Sequence, residues 1–296
     1  MLSLQIDSRS DTGRARITSR TSDRLFTYSI WGAALLVFAV FMWVLGDLAW
    51  QGVPHLSWSF IFSEPQNAGR AGGIAPILIS TLLIILVALA AAIPLGLGAA
   101  VWLAEYASSG KFGRLVRLSL DVLAGVPSIV FGLFGNAFFC IYLGLGFSLL
   151  AGGLTLACMI LPIFIRTSEA GLSAIGKDWR SGAAALGMSR ASTLWHVLLP
   201  AAAPAIAAGL ILGIGRATAE TAALIFTSGY VDRMPESLSD SGRALAVHIY
   251  DLSMNVSGGD AAAYASAIVL IVVIMLINTL ALALTDYWLA RRITSS

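Results

Sequence analysis

Two charged residues lie inside an apolar segment of the chain, and their chemistry suits an anion. Residues 210–230 read LILGIGRATAETAALIFTSGY, in which Arg216 and Glu220 stand four residues apart. A guanidinium presents five N–H donors in a planar fork that matches the oxygens of a phosphate or a carboxylate. A charge at the centre of a bilayer costs about 2.5–3.5 kcal/mol on insertion scales, so the pair requires an explanation.

The pair has a structural and a functional interpretation. Residues four apart share one face of a helix, so Arg216 and Glu220 could neutralise each other. The order is unfavourable, because Glu before Arg is the better arrangement, and an apolar replacement of a buried pair is often neutral or stabilising. We favour the functional interpretation, in which Arg216 binds a passing anion. Glu220 positions the guanidinium in the empty site and keeps binding weak enough for release, and Thr221 adds a hydroxyl.

The composition predicts that these residues lie in a membrane. Of 296 residues, 58% are hydrophobic and 11% are charged, and the mean hydropathy is +0.85. Soluble domains carry about 25% charged residues, so this chain cannot cover itself with a polar surface. A net charge of +2 indicates no nucleic-acid partner. Neither Cys140 and Cys158 nor the three histidines have the spacing of a metal site or a disulfide framework, and no cofactor or metal is expected.

Six apolar runs are long enough to cross a bilayer as helices, which needs about 20 residues each. They comprise residues 25–49, 74–103, 118–143, 147–165, 201–227 and 261–289. A tight glycine-rich turn separates the third and fourth runs, which predicts a hairpin. In the fifth run Gly209, Gly213 and Ala217 form a stripe that permits close helix contact. We therefore expect an all-α membrane protein with an N-terminal arm (1–24), a six-helix domain (25–290) and a tail (291–296).

The distribution of basic residues predicts the orientation of the spans. Arginines and lysines concentrate in the arm, in the loops after the second and fourth spans, and in the tail. The first long loop on the other side has only Arg70, and in the last loop Arg233 and Arg243 are diluted by acidic residues. Basic residues are enriched on the cytoplasmic side, so both termini are predicted to be cytoplasmic.

The loop at residues 173–200 is predicted to form two short helices. Residues 177–186 are helix-prone, Gly187 ends that helix, and Ser189 caps a second helix over 190–199. Pro200 then begins the fifth span, at a position where proline is tolerated. Such a loop either presents an apolar knob to a partner or lies along the membrane surface, and the residues alone leave both open.

The same loop resembles the cytoplasmic signature of ABC importer permeases. That signature reads Glu-Ala-Ala, three residues, Gly, nine residues, Ile, one residue, Leu-Pro. The positions that match its spacing are Ala183, Gly187, Val197, Leu199 and Pro200, whereas Ser181 and Gly182 replace the glutamate and the first alanine. The resemblance implies a type I ABC importer permease fold and a loop that docks on an ATPase subunit.

Four further segments (72–107, 125–135, 215–227 and 241–252) resemble the A-type permeases of phosphate-specific ABC importers. Ala219 and Ala223 replace the glycine and the proline of their Gly-Glu-Thr-Ala-Pro motif. The resemblance implies phosphate import across a bacterial inner membrane, with Arg216 and Glu220 lining the path. It also implies a homologous second permease, two ATPase subunits and an extracytoplasmic phosphate-binding protein as partners, besides membrane lipid.

Other functions remain open at this stage. The chain has no Gly-x-x-x-x-Gly-Lys-Ser/Thr loop, so ATP hydrolysis falls to a partner and the chain is not itself an enzyme. An ABC permease for phosphonate, sulfate or molybdate is the near alternative, and a secondary transporter is a more distant one. An intramembrane enzyme lacks a visible Ser/His or paired Asp arrangement. Residues 241–252 are predicted to form an external amphipathic surface helix carrying Leu245, Ile249 and Leu252, with a packed loop as the alternative.

Overall fold

The computed structural model describes residues 11–107 and 110–294, with side chains described for 23–107 and 110–283. It divides into two compact units, Met1–Trp50 and Gln51–Ser296. The described part of the first unit belongs to the helix α1 (Asp11–Gly52), whose last two residues fall in the second unit. This helix begins inside the predicted N-terminal arm, of which residues 1–10 lie outside the described part. The apolar span Asp23–His55 begins in this helix and ends just beyond it; it is 33 residues long and more than sufficient to cross a bilayer.

The second unit contains the remaining helices and one small antiparallel pair of strands, β1 (Pro65–Gln66) and β2 (Ala71–Gly72). Its helices are α2 (Trp58–Phe62), α3 (Ala75–Val101), α4 (Lys111–Ala124), α5 (Ser128–Gly135), α6 (Leu149–Ala174), α7 (Lys177–Ala185), α8 (Arg190–Thr193), α9 (Leu199–Thr218), α10 (Ala222–Ile225), α11 (Leu245–Met254) and α12 (Asp260–Thr294). π-helical turns extend α3 over Trp102–Tyr106, extend α5 over Asn136–Tyr142, and join α8 to α9 over Leu194–Leu198. The predicted tail therefore begins within α12, and residues 295–296 lie outside the described part.

Helix α6 is the centre of the second unit, packed against α3 and α9. In the most apolar stretch of α6, 67% of the residues are buried, against 28% in the corresponding stretch of the helix Arg190–Thr218. The predicted small-residue stripe of α9 is confirmed as a packing surface. A Cβ atom on Gly213 would lie 2.6 Å from Cγ2 of Ile160, and one on Gly209 would lie 2.9 Å from Cβ of Thr167. No larger residue fits at these positions without displacing α6.

The third predicted span is not one straight helix, and the prediction was wrong in this respect. Lys111–Ala124 and Ser128–Tyr142 are bent by 103° at the break between them. The break precedes Pro127, whose ring disfavours helical geometry in the residue before it. Among the described residues five helices are long and apolar enough to span a membrane, and six if the bent pair counts as one. The predicted hairpin turn is confirmed, with Gly144 and Gly146 at φ +69° and +60°.

The fifth predicted span also differs from the structure at both of its ends. It begins earlier, because Arg190–Thr218 is one helix that passes through Pro200. It ends earlier, because the chain leaves the helix after Thr218 and resumes as α10. Helix α10 packs on α5, where a Cβ atom on Gly132 would lie 2.8 Å from Cα of Ala223. Asn136 Nδ2 donates a hydrogen bond to the carbonyl of Phe226 at 2.8 Å, which holds the redirected chain in place.

Residues 241–252 do not form the predicted surface helix. Helix α11 carries buried side chains at Leu245, Val247, His248 and Leu252. Its first turn is fixed by a hydrogen bond of 2.8 Å from the Leu245 N–H to Oγ1 of Thr81 in α3. Apolar residues of α2, α3 and α12 cover the same cluster, so burial in the tertiary structure overrides the local amphipathic pattern. The predicted helix is thus present over Leu245–Met254, but it is packed into the fold, so neither the surface position nor the packed-loop alternative is what the structure shows.

Candidate translocation site and coupling loop

Arg216 lies in the last turn of α9 and is half-buried. Its positive charge stands at the carbonyl end of the helix, where the helix dipole favours a cation. No ion pair joins Arg216 to a carboxylate among the residues that the structure describes. Among the described residues, the half-buried guanidinium thus has no fixed anionic partner.

Glu220 does not lie on the same helix face as Arg216, because α9 ends between them. The Glu220 carboxylate instead accepts a hydrogen bond of 3.3 Å from the backbone N–H of Ala223 in the first turn of α10. It satisfies one of the N–H groups that a helix start leaves without a partner. Thr221 is the residue directly before α10 and is half-buried. The three predicted path residues are therefore neighbours around a helix break.

The other half-buried or buried arginines of the second unit hold carboxylates. The pairs are Arg117 with Glu169, Arg166 with Asp121 and Glu169 (both 2.8 Å), Arg180 with Glu105 (2.5 Å) and Arg243 with Asp251 (3.0 Å). A buried charge without a partner destabilises the fold, and in these pairs the permease itself supplies the opposite charge. Arg216 departs from this pattern, which supports an interpretation in which its partner is a transient anion.

The interpretation of the sequence missed a polar cluster between α4 and α6. Glu169 is almost fully buried and accepts from both Arg117 and Arg166. Arg166 also binds Asp121 of α4. The signal was present, since Arg166 and Glu169 lie three residues apart in an apolar helix. It was overlooked because they fall at the end of the predicted fourth span, which in the structure continues to Ala174.

The loop between α6 and α9 has the predicted first helix and glycine turn. Helix α7 ends at Ala185, Gly187 adopts φ +73°, and the Ser189 side chain accepts from the Ser192 N–H at 3.2 Å. Ala183 is buried, which anchors α7. The predicted second short helix is not separate, because α8 continues through a π-helical turn into α9.

Val197, Leu199 and Pro200 are half-buried at the start of the long helix and do not project from the loop. The large apolar side chains that do project are Trp179, Leu186 and Trp195, with 59%, 83% and 64% of their surface exposed. Clusters of exposed apolar residues on a loop are characteristic of a protein-binding surface. Composition alone could have singled out the two tryptophans, but the pattern of the signature drew attention to other positions.

Residues 92–295, which include the helix break and the loop, match the sequence profile of the family described as binding-protein-dependent transport system inner membrane components. The chain belongs to this family. This permease is 31% identical over 274 residues to a probable ABC transporter permease protein, YqgI, of Bacillus subtilis, covering 88% of this chain and 93% of the relative. It is 32% identical to the phosphate transport system permease protein PstA 1 of Mycobacterium tuberculosis, covering 95% and 92%.

Solved structures show the fold of the permease. It superposes with a TM-score of 0.63 on a chain of a bacterial ABC transporter involved in the import of the acidic polysaccharide alginate, at 15% identity and with 92% and 99% of the two chains covered. The fold is that of a type I ABC importer permease. The fold expected from the loop signature is thereby confirmed, and the chain is a multi-pass membrane permease.

Proposed function

We propose that the permease is a transmembrane subunit of an ATP-driven importer of inorganic phosphate, in which it forms half of the translocation path. The observation that carries the proposal is Arg216, a half-buried guanidinium with no carboxylate partner among the described residues, at a helix break inside the bundle. The relatives named as phosphate transport system permeases support the choice of substrate. A planar fork of donors suits a tetrahedral oxyanion, and binding at one such group is weak enough for release.

Glu220 and Thr221 complete the proposed path. Glu220 keeps the backbone of the break in place through its bond to the Ala223 N–H, so the position of Arg216 depends on it. Its negative charge also limits the affinity for an anion nearby. Thr221 offers a hydroxyl donor at the same break.

We infer that the loop from α7 to α9 docks on an ATPase subunit at the cytoplasmic face. Helix α7 and the turn at Gly187 present Trp179 and Leu186 to the outside of the fold. Ser181, which stands at the glutamate position of the signature, is exposed there too. The complex would contain a homologous second permease, two ATPase subunits and an extracytoplasmic phosphate-binding protein, in the inner membrane of a bacterium.

To test the substrate, the assembled complex is reconstituted in proteoliposomes. The ATPase subunits face the lumen, and ATP is enclosed there. We expect uptake of radiolabelled phosphate that depends on ATP and on the binding protein. Unlabelled arsenate should compete, whereas sulfate, molybdate and phosphonate in large excess should not. Competition by sulfate or phosphonate as strong as that by arsenate would assign the permease to another oxyanion.

The path is tested with Arg216→Gln, which removes the charge and keeps several donors. Hydrogen bonds to a charged group contribute about 1.5–3 kcal/mol, so uptake per assembled complex should fall about ten- to hundredfold. Uptake should fall less in Arg216→Lys, because the charge is retained, but it should not be fully normal, because a point charge lacks the fork. Glu220→Gln keeps an oxygen for the Ala223 N–H and should leave abundance unchanged while altering uptake. Normal uptake in Arg216→Gln would place the path elsewhere.

A further inference from the structure

Helix α7 is held to the rest of the permease through very few side chains. Of its nine residues, all but Arg180 and Ala183 are exposed. Ala183 contributes only a methyl group to that contact. The attachment of α7 therefore depends chiefly on what Arg180 binds.

The Arg180 guanidinium binds two other helices at once. Its Nε and Nη2 donate to the two carboxylate oxygens of Glu105, at 3.2 and 2.5 Å. Its Nη1 and Nη2 donate to the backbone carbonyls of Ile175 and Leu172, at 2.7 and 3.0 Å. Glu105 belongs to the π-helical turn that ends α3, and Leu172 to the last turn of α6. One side chain thus joins α7 to the ends of α3 and α6.

The environment of the pair makes it stronger than an ordinary surface ion pair. The two side chains are only 28% and 19% exposed, and the contact is bidentate. Hydrogen bonding to Glu105 raises the pKa of the Arg180 guanidinium above its ordinary value, so the cation is retained. Bidentate arginine–carboxylate pairs fix orientation as well as distance.

On the side that faces α8, α7 is not held by close packing that could replace the ion pair. A cavity of about 330 Å³ lies between α7 and the start of α8, and the pair forms part of its wall. Ala184, Met188 and Leu194 are among the other residues that line it. Because this space is open, α7 could tilt about the Gly187 turn if the ion pair were broken.

We propose that the Glu105–Arg180 pair is the mechanical link that carries the displacement of α7 into α3 and α6. Both residues are positioning residues: they touch no substrate and act by keeping α7 rigidly attached to the helices at the centre of the bundle. The proposal rests on the proposed function in one respect, namely that α7 docks on an ATPase. Without the pair, α7 moves with the ATPase while α3 and α6 do not follow.

The test uses Glu105→Gln and Arg180→Gln in the assembled complex in proteoliposomes. Hydrogen exchange at the amides of residues 177–185 should become faster, while exchange in residues 149–165 of α6 stays as in the unaltered complex. ATP hydrolysis should persist, and the ATP consumed per phosphate transported should rise about tenfold. Tyr106→Phe is the matched control, because Tyr106 lines the same cavity next to Glu105, is exposed and lies outside the proposed docking loop.

A rescue separates positioning from a general loss of structure. In a background with Cys140→Ala and Cys158→Ala, the double variant Glu105→Cys, Arg180→Cys should be uncoupled when reduced. A bifunctional thiol cross-linker that joins the two cysteines should restore both the slow exchange in residues 177–185 and the transport per ATP. A cross-linked complex that remains uncoupled would overturn the proposal.

Two further outcomes would also overturn it. Unchanged exchange in residues 177–185 would show that the pair does not hold α7. Faster exchange with an unchanged ratio of ATP to phosphate would show that the attachment does not carry the coupling. Failure of the proposed function is a different result, absence of phosphate uptake in the unaltered complex, and the exchange and cross-linking arms still decide the role of the pair in that case.

Discussion

At the scale of single residues, the permease distinguishes structural charges from a charge available for binding. Arg117, Arg166, Arg180 and Arg243 each hold a carboxylate, and the contacts of the first three join separate helices. Arg216 holds none among the described residues. The contrast matters because a guanidinium already engaged by a carboxylate must exchange that partner for an incoming anion, which lowers affinity.

His248 provides a second case in which burial determines chemistry. Arg243 Nη1 lies 3.3 Å from Nδ1 of His248, and since arginine can only donate, Nδ1 is the acceptor and Nε2 carries the hydrogen. Burial, and then the Arg243 charge, lower the pKa of His248 to about 4, with Asp251 acting in the opposite direction. The neutral imidazole is therefore the form that the fold accommodates.

This depressed pKa predicts a loss of stability in mild acid. The folded-state value of about 4 lies below an unfolded value of about 6.5, so the unfolded chain binds the proton more readily. The contribution is fully present above pH 6.5 and is lost as the pH falls from there towards 4, by about 3 kcal/mol in total. The thermal unfolding midpoint of the detergent-solubilised permease should fall between pH 7 and pH 5. The fall should be smaller in His248→Gln, and the exposed-histidine variant His55→Gln should behave as the unaltered protein does.

At the scale of secondary-structure elements, two broken helices meet inside the second unit. The break before α5 and the break before α10 bring these two short helices into contact, with Gly132 of α5 against Ala223 of α10. Irregular backbone at membrane depth persists only where protein covers it or where it lines a cavity. Arg216 and Glu220 flank one of these breaks, so the irregularity coincides with the proposed path.

The turn between α7 and α8 yields a prediction at this scale. Gly187 adopts φ +73° with open space around its Cα, so a substitution there is disfavoured by backbone strain and not by collision. A β-branched residue resists this conformation strongly, whereas asparagine tolerates it. Gly187→Val should insert and assemble normally but show much lower ATP-driven uptake, and Gly187→Asn should retain most of it. Equal uptake by the two variants, normalised to assembled complex, would argue against a requirement for this turn.

At the scale of the whole molecule, the chain contains a compact permease unit and the long apolar helix α1. Under the proposed function this chain supplies half of a path, and a second permease completes it. The work of ATP hydrolysis on a partner subunit then reaches the membrane through the loop that α7 and Gly187 form.

The predicted orientation can be checked on the intact protein. The excess of basic residues places the loop at Ser173 in the cytoplasm and the loop at Ser257 outside. Both residues are exposed in the structure. In a background without Cys140 and Cys158, an impermeant thiol reagent added to intact cells should label Ser257→Cys and leave Ser173→Cys unlabelled until the cells are opened. Labelling in the reverse pattern would invert the topology.

Much of the architecture could be predicted because it follows from composition and spacing. Four features depend on local patterns that a single sequence displays. They are lipid as the solvent, the long apolar runs, the glycine turn at 144–146 and the glycine stripe of α9. The helix–turn at Gly187 belongs to the same class, because a glycine after a run of alanines ends a helix by its own backbone freedom. The resemblance of the loop to the family signature then predicted the fold.

Tertiary contacts decided the rest. Residues 210–230 contain no proline, yet α9 stops at Thr218, because packing of α10 on Gly132 outweighs the continuation of an apolar helix. The burial of α11 and the pairing of Arg180 with Glu105, 75 residues away, likewise depend on partners that no local window contains. A sequence shows which residues are suited to burial or to pairing with a charge. Only the folded chain determines which partner each one meets, because that depends on contacts between distant segments.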